Sequence, residues 1–174
     1  MPNIIPEKGI NFSVYLEGED LLGVAEGNFP SLEAMTSEVK GAGIAGVADT
    51  IVLGHFNSIT VTLNWRTTTD AFMRLAAHAT HNLDLYGALQ YYDAGMGEYS
   101  AVQLHVYMKA ITKKNTLGNL VVGDSMGSET EHEILYLKAE LDGKERIEID
   151  KLNYIYKVDG TDYLADVRLA LGKQ

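Results

Sequence analysis

The sequence predicts a mainly β protein, an antiparallel β-sandwich or barrel with one interior α-helix and a short C-terminal helix. Three segments alternate apolar and polar side chains with a period of two, as half-buried strands do: Ile59–Trp65, Val102–Met108 and Leu135–Leu141. Asp142-Gly143 and Asp159-Gly160 tolerate the positive φ angles of tight hairpin turns. With about seven or eight strands joined mostly in chain order, antiparallel pairing is favoured.

Length and composition limit the classes of protein that fit. The 174 residues are expected to form a single domain over 1–174, because a chain of that size buries roughly 70% of its unfolded surface. The absence of cysteine excludes disulfides, thiolate metal sites and a cysteine nucleophile. No long apolar run and no signal-peptide pattern occur, so we expect a soluble protein made in the cytoplasm, without membrane anchoring.

The net charge of −10 argues against tight binding to nucleic-acid phosphates, because that affinity depends on Lys and Arg replacing counterions. Two interpretations remain. The charge either serves ordinary solubility, or it belongs to a surface that faces DNA without holding it or that meets a basic partner.

The first quarter of the chain carries weak signals. Residues 1–10 contain Pro2 and Pro6 and no periodicity, so we expect an N-terminal arm rather than a strand. A strand follows from Phe12 to Leu16 and turns at 18–20. A second strand is expected to leave at 21–22 and to resume after Pro30 as far as about Val39.

The region at about 38–54 is the next segment with a distinct pattern. Residues 41–54 show no clear period and contain three closely spaced glycines, which indicates a loop or a loosely held hairpin. Long irregular connections in compact domains are usually functional or mobile.

The middle of the chain predicts a helix between strands. Thr68 or Thr69 is expected to cap a helix whose apolar residues recur at helical spacing from Ala71 to Ala79, ending at about His81. Strands are then expected at 83–93 and from Val102 towards 114, with a glycine turn at 95–97 between them. A polar loop at 115–128 follows.

The last third predicts a hairpin and a short helix. After the strand that ends at Leu141, a returning strand sets Ile147 and Ile149 against Glu148 and Asp150. After the turn at 159–160, Thr161 is expected to cap a helix that ends at Gly172. The apolar face of that helix comprises Leu164, Val167, Leu169 and Leu171.

The motifs of Leu135–Gly172 carry a family resemblance. A strand ending in LDGKE, the segment IEID, a turn with the pattern V-x-G-x-D and a short helix ending in LG follow one another. This order resembles the C-terminus of the major tail tube protein of contractile-tailed bacteriophages and R-type bacteriocins. Phe29–Gly54 echoes the same family, and the middle of the chain resembles it weakly.

The resemblance implies a structural subunit and no enzyme or cofactor. Such subunits form hexameric rings in which the sheets complete a larger β-barrel, and the rings stack into a hollow tube that conducts DNA or penetrates a target envelope. The implied partners are further copies of the chain, the sheath protein, a tape measure protein, and baseplate and tail terminator proteins. The implied location is a virion tail or a released tailocin particle, after synthesis in the bacterial host cytoplasm. The type VI secretion tube is a close variant.

The resemblance also implies two groups of assembly residues. The first is a ring-stacking loop within a segment at about 38–54 that, by the resemblance, projects from the subunit. It comprises Glu38, Lys40, Gly41, Gly43, Ile44, Gly46 and Asp49. The C-terminal assembly segment comprises Asp142, Gly143, Ile147, Ile149, Asp150, Tyr154, Asp159, Gly160 and Leu164.

Motifs for enzyme chemistry occur out of context. Residues 41–46 spell GxGxxG, but neither a buried strand before them nor a helix after them is predicted, so a dinucleotide site is disfavoured. Residues 123–127 spell GxSxG around Ser125, without the strand, helix and distant histidine of a serine hydrolase. His78 and His81 have a spacing that suits one metal ion on a helix, but His55, His105 and His132 offer no evident third ligand.

Tyrosines and carboxylates are the remaining candidates. Tyr86, Tyr91, Tyr92 and Tyr99 lack the interleaved basic residues of a nucleic-acid platform, so subunit contact is the favoured role. The acidic pairs at 17/19 and 129/131/133 are expected to be solvated surface. The alternative to a tube subunit is a monomeric β-sandwich that binds a small ligand or carbohydrate on its tyrosines, and an enzyme comes third.

Overall fold

The structure, a computed structural model, describes residues 3–20 and 23–173. Twelve strands and two short helices occur in these residues. The strands are β1 (Ile4–Leu16), β2 (Glu19–Asp20), β3 (Val24–Asn28), β4 (Ala34–Val39), β5 (Ala48–Phe56), β6 (Thr60–Trp65), β7 (Thr80–Asp93), β8 (Glu98–Thr116), β9 (Ser128–Leu141), β10 (Lys144–Asp150), β11 (Ile155–Val158) and β12 (Thr161–Asp162), and the helices are α1 (Asp70–Arg74) and α2 (Ala165–Ala170).

Ten of the strands form one antiparallel sheet. Its main path runs β12-β11-β10-β9-β8-β7-β1-β2, and β6 joins it by pairing with both β9 and β3. The first half of β9 pairs with β6 and the second half with β10, so β9 serves two neighbours on one edge. β4 and β5 form a separate two-stranded hairpin. The predicted mainly β, antiparallel class with two short helices is confirmed.

The core lies where the sheet folds over so that β3 and β6 face β1 and β7. Gly27 of β3 marks this close approach, because a Cβ atom there would lie 3.5 Å from Phe12 and 3.9 Å from Leu85. The predicted alternation of β6 is confirmed, with Val61, Leu63 and Trp65 buried. The other core residues include Val14, Leu16, Ile59, Phe72, Leu75, Leu83, Val106, Met108, Ile134, Leu137 and Ile149.

A register shift in β9 changes which face of the strand is buried. Tyr136 lies opposite Lys109 and Ile134 lies opposite Ala110, so Leu135 has no partner residue on β8. The buried side therefore changes from the even-numbered Ile134 to the odd-numbered Leu137. The bulge at Leu135 thus interrupts an alternation that the sequence displays without a break, and it adds Ile134 to the buried residues.

The N-terminal segment is a strand from Ile4 onwards, so the prediction of an arm without strand structure is wrong there. Residues 4–16 pair with β7 in two register shifts, one of which falls between Pro6 and Lys8. The proline is accommodated because it lies beside an irregularity in an edge strand. Residues 1–2 lie outside the described residues, as does the predicted strand start at 21–22.

The interior helix is shorter than predicted. Thr69 is the N-cap as expected, and its hydroxyl accepts a hydrogen bond from the Phe72 N–H at 3.2 Å. The helix ends at Arg74, and a tight turn follows in which the Ala79 N–H donates to the Ala77 carbonyl. The predicted end at His81 is wrong because His81 pairs with Ala110 in the sheet, and that pairing overrides local helix preference.

The C-terminal helix exists, but its predicted start is wrong. Thr161 belongs to β12 and pairs with Val158, and Leu164 is the N-cap, without a side-chain cap. Asp162 accepts a hydrogen bond from the Leu164 N–H at 3.0 Å instead. The predicted apolar face is buried at Leu164 and exposed at Leu169 and Leu171.

The predicted turns at the two Asp-Gly pairs are confirmed. Asp142 and Gly143 have φ angles of 54° and 69°, and Asp159 and Gly160 have φ angles of 47° and 81°. Positive φ at both central residues gives the turn that matches the twist of a hairpin. No helix within residues 3–20 and 23–173 is long and apolar enough to cross a membrane.

Candidate assembly surfaces

The residues of the predicted ring-stacking loop lie at the end of the β4–β5 hairpin. Glu38 and Asp49 face each other across the two strands, so the segment predicted as a loop or loosely held hairpin at 38–54 is partly β5. Lys40, Gly41, Gly43, Ile44 and Gly46 form the turn between the strands. Gly41 and Gly43 have φ angles of 147° and 91°, which other residues rarely adopt.

The hairpin exposes much apolar surface. Ile44 in the turn and Val47 beside it are exposed, and so are several side chains along the two strands. These are Met35, Val39, Ile51 and Leu53. A two-stranded hairpin is at best marginally stable alone, and contiguous exposed apolar side chains typically mark an interaction surface.

The base of the hairpin packs against the C-terminal assembly segment. Gly54 has a φ of 65°, and a Cβ atom there would lie 2.4 Å from a methyl carbon of the buried Leu164. Phe56 meets Tyr156 edge to face, with ring centroids 5.0 Å apart. Thus the base of the hairpin, far from the turn at its end, contacts Leu164 of the C-terminal assembly segment, which the sequence did not indicate.

The other residues of the C-terminal assembly segment occupy turns and strand β10. Asp142, Gly143, Asp159 and Gly160 form the two hairpin turns, and Tyr154 lies in the turn before β11 with a φ of 54°. Within β10, Ile147 lies opposite Val158, Ile149 is buried, and Asp150 accepts hydrogen bonds from the N–H groups of Leu152 and Asn153.

Arg168 fixes helix α2 to the segment before it. Its guanidinium donates to the Tyr154 carbonyl at 2.7 Å and to the Asp162 carboxylate at 2.6 Å. This hydrogen bond from Arg168 lowers the pKa of Asp162 despite partial burial. Three separate pieces of the C-terminus are thereby joined by one side chain.

The outward face of the large sheet carries a ladder of polar side chains. His105 contacts the carboxylate of Asp84 at 2.7 Å and that of Glu140 at 3.5 Å, and its ring stacks on Tyr86. Lys138 pairs with Glu140 at 2.7 Å, and the hydrogen bond between them raises the pKa of Lys138. Charges of both signs alternate along this face, so they largely compensate one another.

The ladder continues to β11 through Glu148. Lys157 donates to Glu148 at 2.7 Å, and the Tyr136 hydroxyl donates to the same carboxylate at 2.9 Å. The hydrogen bond from Lys157 lowers the pKa of Glu148, while burial and the contact with Glu148 raise the pKa of Tyr136. The ladder thus ties β9, β10 and β11 together on the side opposite the core.

Part of the large sheet projects beyond the core as a three-stranded ribbon. It consists of residues 4–10 of β1, 88–93 of β7 and 98–103 of β8, which pair with one another. Ile4, Ile5 and Tyr99 are exposed on it. Tyr92 contacts Tyr99 with ring centroids 4.9 Å apart.

The outer edge of β1 is open. In the described part of the chain, β2 pairs with this edge only at Tyr15 and Leu16. The Phe12 N–H donates to the side-chain oxygen of its neighbour Asn11 at 2.9 Å. An unpaired edge of this length is a template for pairing with another strand.

The structure disperses the residues considered for enzyme chemistry. Ser125 is exposed in the loop at 117–127, which is not a strand-to-helix elbow. His78 and His81 do not share a helix, because His78 lies in a bend and His81 in β7. Within residues 3–20 and 23–173, no group of three His, Asp or Glu side chains is placed to hold a metal ion.

His132 is buried and belongs to the core rather than to a site. Its Nδ1 lies 3.0 Å from the Thr112 hydroxyl and its Nε2 lies 3.0 Å from the Thr130 hydroxyl. The Thr112 hydroxyl donates to the Leu75 carbonyl, so it accepts from His132 Nδ1–H, and the neutral ring satisfies both neighbours. Burial lowers the pKa of His132 to about 4.

One exposed apolar feature was missed by sequence reasoning. Leu120, Val121 and Val122 protrude from the loop at 117–127, and Val122 is fully exposed. The sequence predicts a polar loop here because glycine and polar residues make up more than half of the segment. The signal was an apolar triplet between Gly118 and Gly123, outside any periodic segment.

Comparisons with known proteins identify a family and a relative. The sequence model of the family described as "Phage tail tube protein FII" matches residues 6–172. The tail tube protein of Escherichia phage P2 is 28% identical over 173 residues, covering 97% of this chain and 98% of that protein.

A solved structure is similar in fold. It is a cryo-EM structure described as the sheath/tube terminator of an extracellular contractile injection system (PVC) in its extended state. It superposes with a TM-score of 0.54 and 12% identity, covering 78% of this chain and 97% of the other.

Proposed function

This chain belongs to the phage tail tube protein FII family, and from that premise we propose that it forms hexameric rings that stack into a hollow tube. The family is structural, so the chain is a tube subunit of a tail or tail-like particle and not an enzyme. The finer points, namely the number of copies in a ring, the contacts and the cargo, are proposals.

The open edge of β1 is the observation that carries the proposal. A long exposed edge strand normally invites aggregation unless another strand covers it. In a ring, the β1 edge of each copy pairs with the opposite edge of the sheet of its neighbour. The sheets of all copies then continue into one larger β-barrel. A closed ring of such contacts leaves no free edge.

The β4–β5 hairpin is the proposed contact with the next ring. Its turn is rich in glycine, exposes Ile44 and Val47, and carries the ion pair of Glu38 with Lys40 at 2.7 Å. Packing of Gly54 against Leu164 fixes the direction in which the hairpin projects. The C-terminal assembly segment thereby acts as the support of the hairpin.

The acidic charge suits a channel through which DNA passes. A chain of net charge −10 offers few cations to phosphates, so DNA slides without being held. If the particle has no capsid, the same tube penetrates a target envelope instead. The proposed partners are the sheath outside, a tape measure protein inside, and baseplate and terminator proteins at the two ends.

The test is the assembly of purified protein. We expect rings or tubes in negative-stain electron microscopy and fast-sedimenting species in ultracentrifugation. The double variant Ile4→Lys/Ile5→Lys should remain monomeric, because lysines on an edge strand oppose pairing, whereas Met73→Lys, an equally exposed site on α1, should assemble normally.

A monomeric wild-type protein at high concentration would contradict the tube. It would favour the alternative, a stand-alone β-sandwich that binds a small ligand. Assembly of the double lysine variant at the wild-type level would instead locate the contact elsewhere than the β1 edge.

A further inference from the structure

We propose that the apolar triplet Leu120–Val122 of one copy inserts into an apolar groove on a second copy, at the opposite end of the sheet. The groove has a volume of about 370 Å³ and is lined by Ile10, Phe12, Phe29, Leu89 and Leu104 with neighbouring small residues. This inference rests on the proposed stacking of rings and adds a second contact to that of the hairpin.

Hydrogen bonds at the base of the loop fix the position of the triplet. The Asn119 N–H donates to the Met126 carbonyl at 2.9 Å, and the Met126 N–H donates to the Arg66 carbonyl at 2.7 Å. Gly118 has a φ of 81°, and a Cβ atom there would lie 2.1 Å from the Met126 carbonyl oxygen. These contacts fix the base of the loop, so little conformational freedom is lost when its tip binds.

The groove lies at the margin of the core, where the layer formed by β3 ends. Phe12 packs partly into the core, and Phe29 lies over Gly87 just beyond the end of β3, where the second layer stops. From there the sheet continues as the uncovered ribbon, and Ile10 and Phe29 stay exposed at the rim. Apolar side chains from another molecule would continue the layer that β3 begins.

The absence of charge on both surfaces favours a second copy as the occupant. Copies with a net charge of −10 repel one another, so they meet most readily where neither surface is charged. Residues 117–123 contain no charged side chain, and every residue lining the groove is uncharged. The two surfaces are therefore compatible in charge as well as apolar.

Geometry makes the contact intermolecular. The groove includes Leu104, whereas the loop begins just after Thr116 at the far end of β8. This stretch of strand spans about 40 Å, so the triplet cannot reach the groove of its own chain. A knob and a groove at opposite ends of one molecule make a heterologous contact, which repeats along an open stack.

Cysteine cross-linking provides the test, because the chain has no cysteine of its own. In assembled Ile10→Cys/Val122→Cys protein, mild oxidation should give a ladder of disulfide-linked chains on a non-reducing gel. The yield should exceed that of either single variant by about tenfold, since docking raises the effective concentration of the thiols. Ile10→Cys/Leu169→Cys pairs the groove with another exposed leucine and is the matched control.

A second measurement uses substitutions at the exposed triplet. Val122→Glu should fold normally, as judged by its thermal unfolding, and should give fewer or shorter tubes because it places a carboxylate in the groove. Val122→Ile should give tubes of wild-type length.

The outcomes separate this inference from the proposed function. If the wild-type protein gives no tubes, the proposed function fails. If tubes form but Ile10→Cys/Val122→Cys links no better than the control, or Val122→Glu tubes are normal, only this inference is overturned. Efficient linking of Ile10→Cys with Ile44→Cys instead would show that the hairpin occupies the groove.

Discussion

The two ends of the large sheet contrast sharply, although β1, β7 and β8 run through both. At the end near Trp65 and His132, every second side chain is buried beneath β6 and β3. At the other end the same three strands form the projecting ribbon, where Ile4, Ile5 and Tyr99 are exposed. One end forms a packed core, whereas the other end exposes apolar side chains as an interface does.

The contrast shows that strand length and core size were set by different requirements. The core needs only the part of each strand that β3 and β6 cover. The excess length contributes little packing within a single chain, so its stabilisation must come from neighbouring copies. Substitutions at the two ends should therefore affect different measurements, folding at one end and assembly at the other.

Trp65→Ala should cause the largest loss of stability. The indole is buried, meets Phe72 edge to face, and donates to the Thr130 hydroxyl at 3.1 Å. Removing it leaves a cavity and an altered hydrogen-bond network, so we expect a loss of about 3–5 kcal/mol in the free energy of unfolding. Urea denaturation at a protein concentration where sedimentation shows monomers measures it. A loss below about 1 kcal/mol would show that this end is not the core.

Gly54→Ala should disturb the joint between the hairpin and the rest of the chain. The positive φ and the contact with Leu164 both oppose a methyl group, and we expect a loss of about 2–3 kcal/mol. Gly46→Ala is the matched control, since nothing lies within 4 Å of a Cβ atom there and its φ is not in the positive region. Equal stability of the two variants, again by urea denaturation, would contradict the packed joint.

Acidification should weaken the core end through His132. Its pKa of about 4 in the folded protein lies below the ordinary value of 6.5, so the unfolded chain binds the extra proton first as pH falls. Stability is therefore complete above pH 6.5 and declines towards pH 4, and between pH 7 and 5 the loss should be about 2 kcal/mol.

His132→Gln tests the assignment of this pH dependence. Whatever its absolute stability, the variant should lose most of the slope between pH 7 and 5. The carboxylates whose pKa values are lowered, such as Glu148 and Asp162, weaken the fold only at lower pH. An unchanged slope in His132→Gln would assign the effect to another group.

Tyr99→Ala should have the smallest effect on the isolated chain. Its ring is exposed at the end of the ribbon, so the change in unfolding free energy should stay within about 0.5 kcal/mol. Tube formation in negative stain should nevertheless decrease, because tyrosine suits a half-buried contact. Unimpaired tubes would place Tyr99 outside the interfaces.

Much of the fold was predictable where one rule applied without competition. The β6 alternation, the Thr69 cap and both Asp-Gly turns follow from local chemistry, and the structure has them as predicted. The errors occur where pairing with residues distant in the chain determines the secondary structure. β7 takes His81 away from the helix, and β7 also gives the proline-containing segment 4–10 a strand partner that its own sequence does not show.

The candidate surfaces were predictable to a similar extent. The glycines at 41–46 indicated a loop or a loosely held hairpin, and the C-terminal motifs indicated the family. The contact of Gly54 with Leu164 was not predictable, because the two residues lie far apart in the chain and only the fold places them together. The triplet Leu120–Val122 gave a local signal, but its exposure depends on how Arg66 and Met126 hold the loop.

By itself, the sequence determined the β class, the positions of the tight turns and the structural family, because periodicity, turn chemistry and motif order are local properties. Only the tertiary structure decided which strand ends are covered and where the edge of β1 stays open. It also decided that the base of the hairpin packs against the C-terminal segment. These features depend on pairing between distant segments, and the same alternating pattern serves equally well for a strand within a core and for one that extends beyond it.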